Sequence, residues 1–232
     1  MSPEPLQSAQ TQAIPPASQF AAEANHRIAN HLSMLAALGR LQAKGVGKTP
    51  IALSGTDVQR LLEDFAGRLE TVADIHRLLA HHPGGAPVDI AEYLDRIAQR
   101  LVSSLAANDE TTIECLIPMR LVLPAEQAGA LGLLVSELIT NALKYAHPAG
   151  VAGAIAVKAS TEDDGTIAIE VSDDGVGLPD DIDPLESQSL GFRTIRLLAR
   201  QLGASISFDN HGLGLSCVVH IPYAGSALKS VS

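Results

Sequence analysis

The chain has 232 residues, of which 46% are hydrophobic and only 3% aromatic, with no Trp. That composition excludes wholesale disorder and predicts a core of Leu, Ile, Val and Ala. A formal net charge of -10 with no basic stripe excludes nucleic-acid binding through phosphates.

Met1 to Ser18 is rich in Pro, Ser and Gln and reads as a flexible tail. It has no basic start followed by an apolar stretch, so no signal peptide is expected. No apolar run approaches a membrane span, and a cytoplasmic location is the expectation. From Phe20 to about Lys44 the pattern is helical, with Ile28, Leu32, Leu35, Leu38 and Leu41 on one side. Gly45 to Gly55 suits a turn. Within it "GVGKTP" ends like a phosphate-binding loop, but Gln42 stands where that motif needs a glycine and Pro50 follows at once. A second helix is expected to begin near Thr56, capped by Thr or Asp. Val58, Phe65, Val72 and Leu79 fall seven apart, with Leu61 or Leu62, Leu69 and Ile75 between them, which is a heptad seam. Residues 19–82 thus read as a helical hairpin. A lone hairpin cannot cover such seams, whereas pairing of two copies into a four-helix bundle would.

"HHPGGAP" ends the second helix and supplies a linker at 83–87. A second domain follows over 88–224, with a short tail at 225–232. Val88 to Leu105 reads as helix, Thr111 to Ile117 and Leu121 to Leu123 as strands, and Glu126 to Ala146 as helix. "AIAVKAS" and "TIAIEVSDD" read as paired strands joined by "EDDG". Leu190 to Leu202 is a helix closed by Gly203, and strands follow at Ala204 to Phe208 and Leu215 to Pro222. This order predicts an α/β sandwich, with helices on one face of one sheet. Cys115 and Cys217 fall in strand runs and read as core residues. His76, His81, His82 and His147 read as helix-end residues favourable to the dipole, not as metal ligands.

Three short stretches carry chemistry. In "VSELITNALKYAHP" Glu137, Asn141 and Lys144 stand at i, i+4 and i+7, on one helix face. Alone, that is a solvated stripe. "VSDDGVGLP" ends a strand with Asp173, Gly175 and Gly177, where glycines let a backbone turn sharply or a ligand approach. The aspartate offers an acceptor for an exocyclic amine. "SLGFRTIRLLARQLGA" places Gly191 at a helix start, where backbone N–H groups can hold phosphate.

In this order and spacing the three stretches resemble the nucleotide-binding domain shared by histidine kinases, DNA gyrase, the large heat-shock chaperone and MutL. The match covers roughly Val88 to Pro222. The resemblance implies an α/β-sandwich ATP-binding domain of the Bergerat type, with ATP and Mg2+ as its ligands. Asn141 resembles the magnesium ligand, and Glu137 the acid that polarises the attacking group or its water. Lys144 and Tyr145 would lie beside the phosphates and nucleotide. Asp173 resembles the adenine reader, and Gly175, Gly177 and Gly191 resemble the loop glycines. Leu178 to Gln188 would be the ATP lid.

"EANHRIANHLSMLAALGRLQ" resembles the phosphoacceptor box of the second-type histidine kinases, with His-Arg after the acid and Asn, and His26 matches the phosphorylated histidine. "IHRLLAHHPGGAPVDIAEYL" resembles that branch's join between hairpin and ATP domain. The resemblance implies a homodimer through the hairpin, a response-regulator receiver domain as partner, and a possible separate sensor protein. Asn30 shares a face with His26 one turn on, where an amide can orient water toward a phosphoaspartate. Two other readings stay open: an ATP-independent histidine phosphotransfer protein of the same architecture, and an anti-sigma-factor type serine kinase or binding protein. The hairpin counts against the last.

Overall fold

The structure is a computed structural model that describes residues 54–80, 86–105, 110–148, 151–162, 164–210 and 213–222, with ten helical positions between 25 and 43. His26 and Asn30 lie outside the described residues, as do both tails, the turn at 45–50 and linker residues 83–85.

The first complete helix, α1 (Gly55–Ala80), starts earlier than the sequence suggests. Its cap is Ser54 and not Thr56 or Asp57. The Ser54 hydroxyl accepts the Asp57 N–H at 3.1 Å, and the Asp57 carboxylate accepts the Ser54 N–H at 3.0 Å. This reciprocal arrangement satisfies two donors at once. Gly39 lies against Phe65, so close that a Cβ there would come within 3.3 Å of the ring. The hairpin contact is therefore real at this level. The heptad seam divides along α1. Val58, Leu62 and Leu69 are exposed, while Val72, Ile75 and Leu79 are buried in the main core.

The segment read as one helix from Val88 begins instead with a two-residue strand, β1 (Val88–Asp89), and α2 runs Ile90–Leu105. β1 pairs antiparallel with β3 (Val122–Leu123) in a separate two-stranded sheet. Leu121 to Leu123 therefore does not join the main sheet. That sheet has the order β2-β4-β5-β7-β6, made of β2 (Thr112–Leu116), β4 (Ala154–Thr161), β5 (Ile167–Asp173), β7 (Leu215–Ile221) and β6 (Ser205–Asn210). β2 pairs parallel with β4, and all other neighbours are antiparallel. One register row crosses all five strands as Cys115, Val157, Val171, Cys217 and Phe208.

α3 (Ala125–Tyr145) and α4 (Leu190–Leu202) cover this face together with α2. α4 ends at Gly203, which takes a φ of 65°, as the sequence predicts. Phe192 and Phe208 meet edge to face at 5.7 Å and tie α4 to β6. Each side chain fully buried in this layer contributes about 1.5–3 kcal/mol of transfer free energy. Tyr93 of α2 packs on Gly132 of α3, where a Cβ would sit 2.3 Å from its hydroxyl. That hydroxyl is buried with no hydrogen-bond partner among the described residues. Cys115 and Cys217 are free thiols, and burial pushes both up to about 12.

Candidate functional site

A cavity of about 520 Å³ opens between α3, the end of β5 and the start of α4. Small-molecule sites fall in the same range of volume. Asn141, Tyr145, Asp173, Gly177 and Gly191 line it. Glu137, Lys144 and Gly175 do not line it.

Asp173 reaches the cavity because strand alternation puts it on the helix-covered face, two residues after Val171. Its Oδ1 accepts the N–H of Gly175 at 3.0 Å and of Leu215 at 3.3 Å. The second bond requires β7 to start almost on top of β5. Gly214 makes that possible: its φ is 103°, and a Cβ there would fall 1.9 Å from the Asp173 carbonyl oxygen. Gly175 serves a second close approach. A Cβ on it would lie 2.4 Å from the carbonyl oxygen of Ala146, which accepts the Val176 N–H at 2.9 Å. The glycine loop is thus laid against the C-terminal end of α3.

Asn210 fixes where the lid leaves this loop. Its side chain accepts the Leu178 N–H at 3.0 Å and donates to the Leu178 carbonyl at 2.8 Å. Arg196 holds the other end, donating to the carbonyls of Pro184 and Ser187 at 2.6 Å each. Leu178, Pro179 and Ile182 face the cavity, whereas Asp180, Asp181, Asp183 and Glu186 are exposed and absent from its lining. These acids therefore do not face the cavity. At the start of α4, Ser189, Leu190 and Gly191 line the cavity. The first N–H groups of a helix have no intrahelical partner and favour an anion. Gly191 leaves room for the Asn141 amide, whose Oδ1 would lie 3.2 Å from a Cβ at that position.

The other members of the α3 line point toward α1. Glu137 receives Arg68 on both oxygens, Nε to Oε1 at 2.9 Å and Nη2 to Oε2 at 3.2 Å. Lys144 pairs with Asp64. Asp64 and Arg68 themselves line the cavity. His147 lies just past the end of α3, where its Nε2 is 2.8 Å from Asp174 Oδ1. The Ala154 N–H first, then His147, hold the Asp174 carboxyl below its ordinary value.

Sequence reasoning missed Arg68, Asp64, Asn210, Gly214 and Arg196. The first two carried a signal in hindsight, since acid and base stand one turn apart on α1 and in complementary order on α3. Asn210 and Arg196 act on backbone groups and leave no motif.

The comparisons agree with this geometry. Residues 126–225 match the family described as "Histidine kinase-, DNA gyrase B-, and HSP90-like ATPase", and residues 23–105 match one described as "Histidine kinase". The chain thus carries, in series, a histidine kinase domain of the second type and a histidine kinase-like ATPase domain. It is 32% identical over 209 residues to the Blue-light-activated histidine kinase 2 of Erythrobacter litoralis, covering 87% of this chain and 56% of that protein. It is 29% identical over 210 residues to the Sensor histidine kinase PdtaS of Mycobacterium tuberculosis, covering 86% and 38%. The chain thus spans about half the length, or less, of these relatives. The solved histidine kinase domain of the Erythrobacter litoralis EL346 kinase superposes with a TM-score of 0.64 at 27% identity, covering 89% of this chain and 94% of that one. No helix among the described residues is long and apolar enough to cross a membrane.

Asn141 offers the cavity an amide oxygen, a hard ligand that suits a cation such as Mg2+. No cluster of three or more His, Cys, Asp or Glu forms a metal cage among the described residues. An ion here would take the Asn141 amide oxygen, with phosphate oxygens and water completing its shell.

Proposed function

We propose that the chain is the kinase core of a two-component system. It binds Mg-ATP in the cavity between α3 and α4, phosphorylates His26, and passes the phosphoryl group to an aspartate of a response-regulator receiver domain. One observation carries this reading. Asn141 and Asp173, from two separate elements, meet in one cavity of about 520 Å³ whose third wall is the start of α4.

Asp173, held by two backbone N–H groups, reads the adenine amine. The apolar wall of Leu178, Pro179 and Ile182 covers the base. Asn141 would hold a magnesium ion, which would supply neutralisation of phosphate charge, and the α4 N–H groups face the phosphate oxygens. A ring nitrogen of neutral His26 attacks the terminal phosphorus in line. The N–P bond forms as the bond from phosphorus to the bridging oxygen breaks, and ADP leaves with that electron pair. The phosphorylated imidazolium gives its remaining ring proton to Glu137. In the next step a regulator carboxylate takes the phosphoryl group and His26 recovers a proton. An imidazole with an unperturbed pKa of about 6.5 needs little activation for this role. Asn30, one turn from His26, orients water for dephosphorylation of the regulator. Two copies pair through the hairpin, a separate sensor protein supplies the signal, and the protein works in the cytoplasm.

Incubation with γ-labelled ATP and magnesium tests the reading. Label that is stable in base, labile in acid and absent from His26→Ala supports it; a folded chain that takes no label removes it. Asp173→Asn should weaken nucleotide binding, and an unchanged titration would withdraw the adenine role. Asn30→Ala should keep label on His26 and lose regulator dephosphorylation.

A further inference from the structure

Arg68 joins two features of the site. It closes both oxygens of Glu137, with side chains only 17% and 12% exposed. It also lines the nucleotide cavity, and it is the only Lys or Arg among the described lining residues. The other charged residues of that lining are Asp64 and Asp173. A triphosphate entering this cavity therefore finds one protein cation, and that cation is engaged on a carboxylate.

The distances make a transfer between the two anions feasible. Glu137 and Asn141 are one turn apart on α3, about 5–6 Å between Cβ atoms. A guanidinium seated on Glu137 is thus about one turn from the amide proposed to hold the metal. Its planar fork suits phosphate oxygens as well as a carboxylate. The second pair, Asp64 to Lys144, keeps α1 in register one turn along. While Arg68 holds both oxygens of Glu137, its positive charge favours the ionised carboxylate and opposes transfer of the His26 proton to that acid.

Building on the ATP reading above, we propose that Arg68 is a triphosphate-responsive gate. It holds Glu137 in the arrangement seen here, and it turns to the terminal phosphate of a bound nucleoside triphosphate, which frees Glu137 to act. A diphosphate offers no terminal phosphate at that position and leaves the pair closed. The gate therefore links arrival of the correct nucleotide to release of the acid.

The test is a set of equilibrium titrations of the intact chain, with magnesium, using a non-hydrolysable ATP analogue and ADP. Arg68→Gln should lose about tenfold in analogue affinity, the scale of one charge-assisted contact, while ADP affinity stays within about twofold. Unchanged ADP binding also reports that the variant is folded. Arg68→Lys keeps the charge without the fork and should lose about threefold, which carries the test if the Gln variant does not fold. Glu137→Gln removes the competing anion and should raise analogue affinity. That gain should vanish in the Arg68→Gln background, because it acts through Arg68. Equal losses for the analogue and ADP in Arg68→Gln overturn the proposal. So does a Glu137→Gln gain that persists without Arg68, since simple charge repulsion would explain it. A wild-type chain that binds neither nucleotide overturns the ATP reading itself and the gate with it.

Discussion

The two halves of α1 share one heptad pattern and have opposite surroundings. Val58, Leu62 and Leu69 are exposed, at 44%, 64% and 40%, while Val72, Ile75 and Leu79 are at 4%, 1% and 1%. The second half is covered by the chain's own ATP domain and belongs to its core. A hydrophobic seam in a sequence marks a face that needs cover, and here one helix finds that cover in two ways. Half of the seam is an intramolecular joint. Only the other half, with the exposed Ile28 and Leu32 of the preceding helix, remains for a second copy. The surface available to a dimer is correspondingly shorter than the repeat implies.

Substitutions along α1 can break or sharpen this contrast. Ile75→Ala removes a fully buried side chain from the joint and should lower unfolding free energy by about 3 kcal/mol, read from the denaturant midpoint. Ser54→Ala, at the start of the exposed half, removes the cap and should cost about 1 kcal/mol, with faster amide exchange confined to the first turns. Leu62→Ser should change monomer stability by less than about 0.5 kcal/mol. If the exposed half is the dimer surface, the same change halves the mass seen by light scattering. A mass that stays at twice the chain weight would place the contact elsewhere. The smallest effect is on pH. The Ser54 hydroxyl, then its N–H, hold Asp57 below its ordinary 3.8. A depressed folded value means that the cap is fully stabilising above 3.8 and is lost as pH falls through the lower, folded value. Protection from exchange in the first turns of α1, taken relative to the intrinsic rate at each pH, should therefore fall on acidification before protection around Ile75 does.

Local chemistry made much of this fold legible. α4 was bounded by Gly203, and the β4–β5 hairpin by its alternation and its turn. β1 escaped because two residues carry no period, and β3 was read as a strand without any sign that it pairs outside the main sheet. The pairing of β2 with β4 escaped because register across a long crossover is decided by packing, which no window of sequence contains. The site divides in the same way. Asn141, Asp173, Gly177 and Gly191 stand in short motifs and meet in one cavity, which Gly175 does not line. Glu137 and Lys144 belong to the same motif, yet their partners are Arg68 and Asp64. Those partners are set by how α1 lies across α3, and an isolated α1 shows only charges on a helix. Gly214 was visible as a glycine, but its need for positive φ follows from the approach of β7 to Asp173.

The parallel joining of β2 to β4 also bears on biosynthesis. Residues 117–153, with α3 among them, lie between those strands, whereas β4 with β5 and β6 with β7 are antiparallel hairpins closed by short turns. As the chain leaves the ribosome, α3 emerges before β4, β5, β6 and β7, the strands whose face it covers. Thirteen of its 21 residues are buried in the finished protein, and its apolar surface runs almost all the way round. During that interval α3 is the segment a chaperone would meet. The helix that carries Asn141 is thus made before its sheet, and the side that faces the sheet stays uncovered until the sheet arrives.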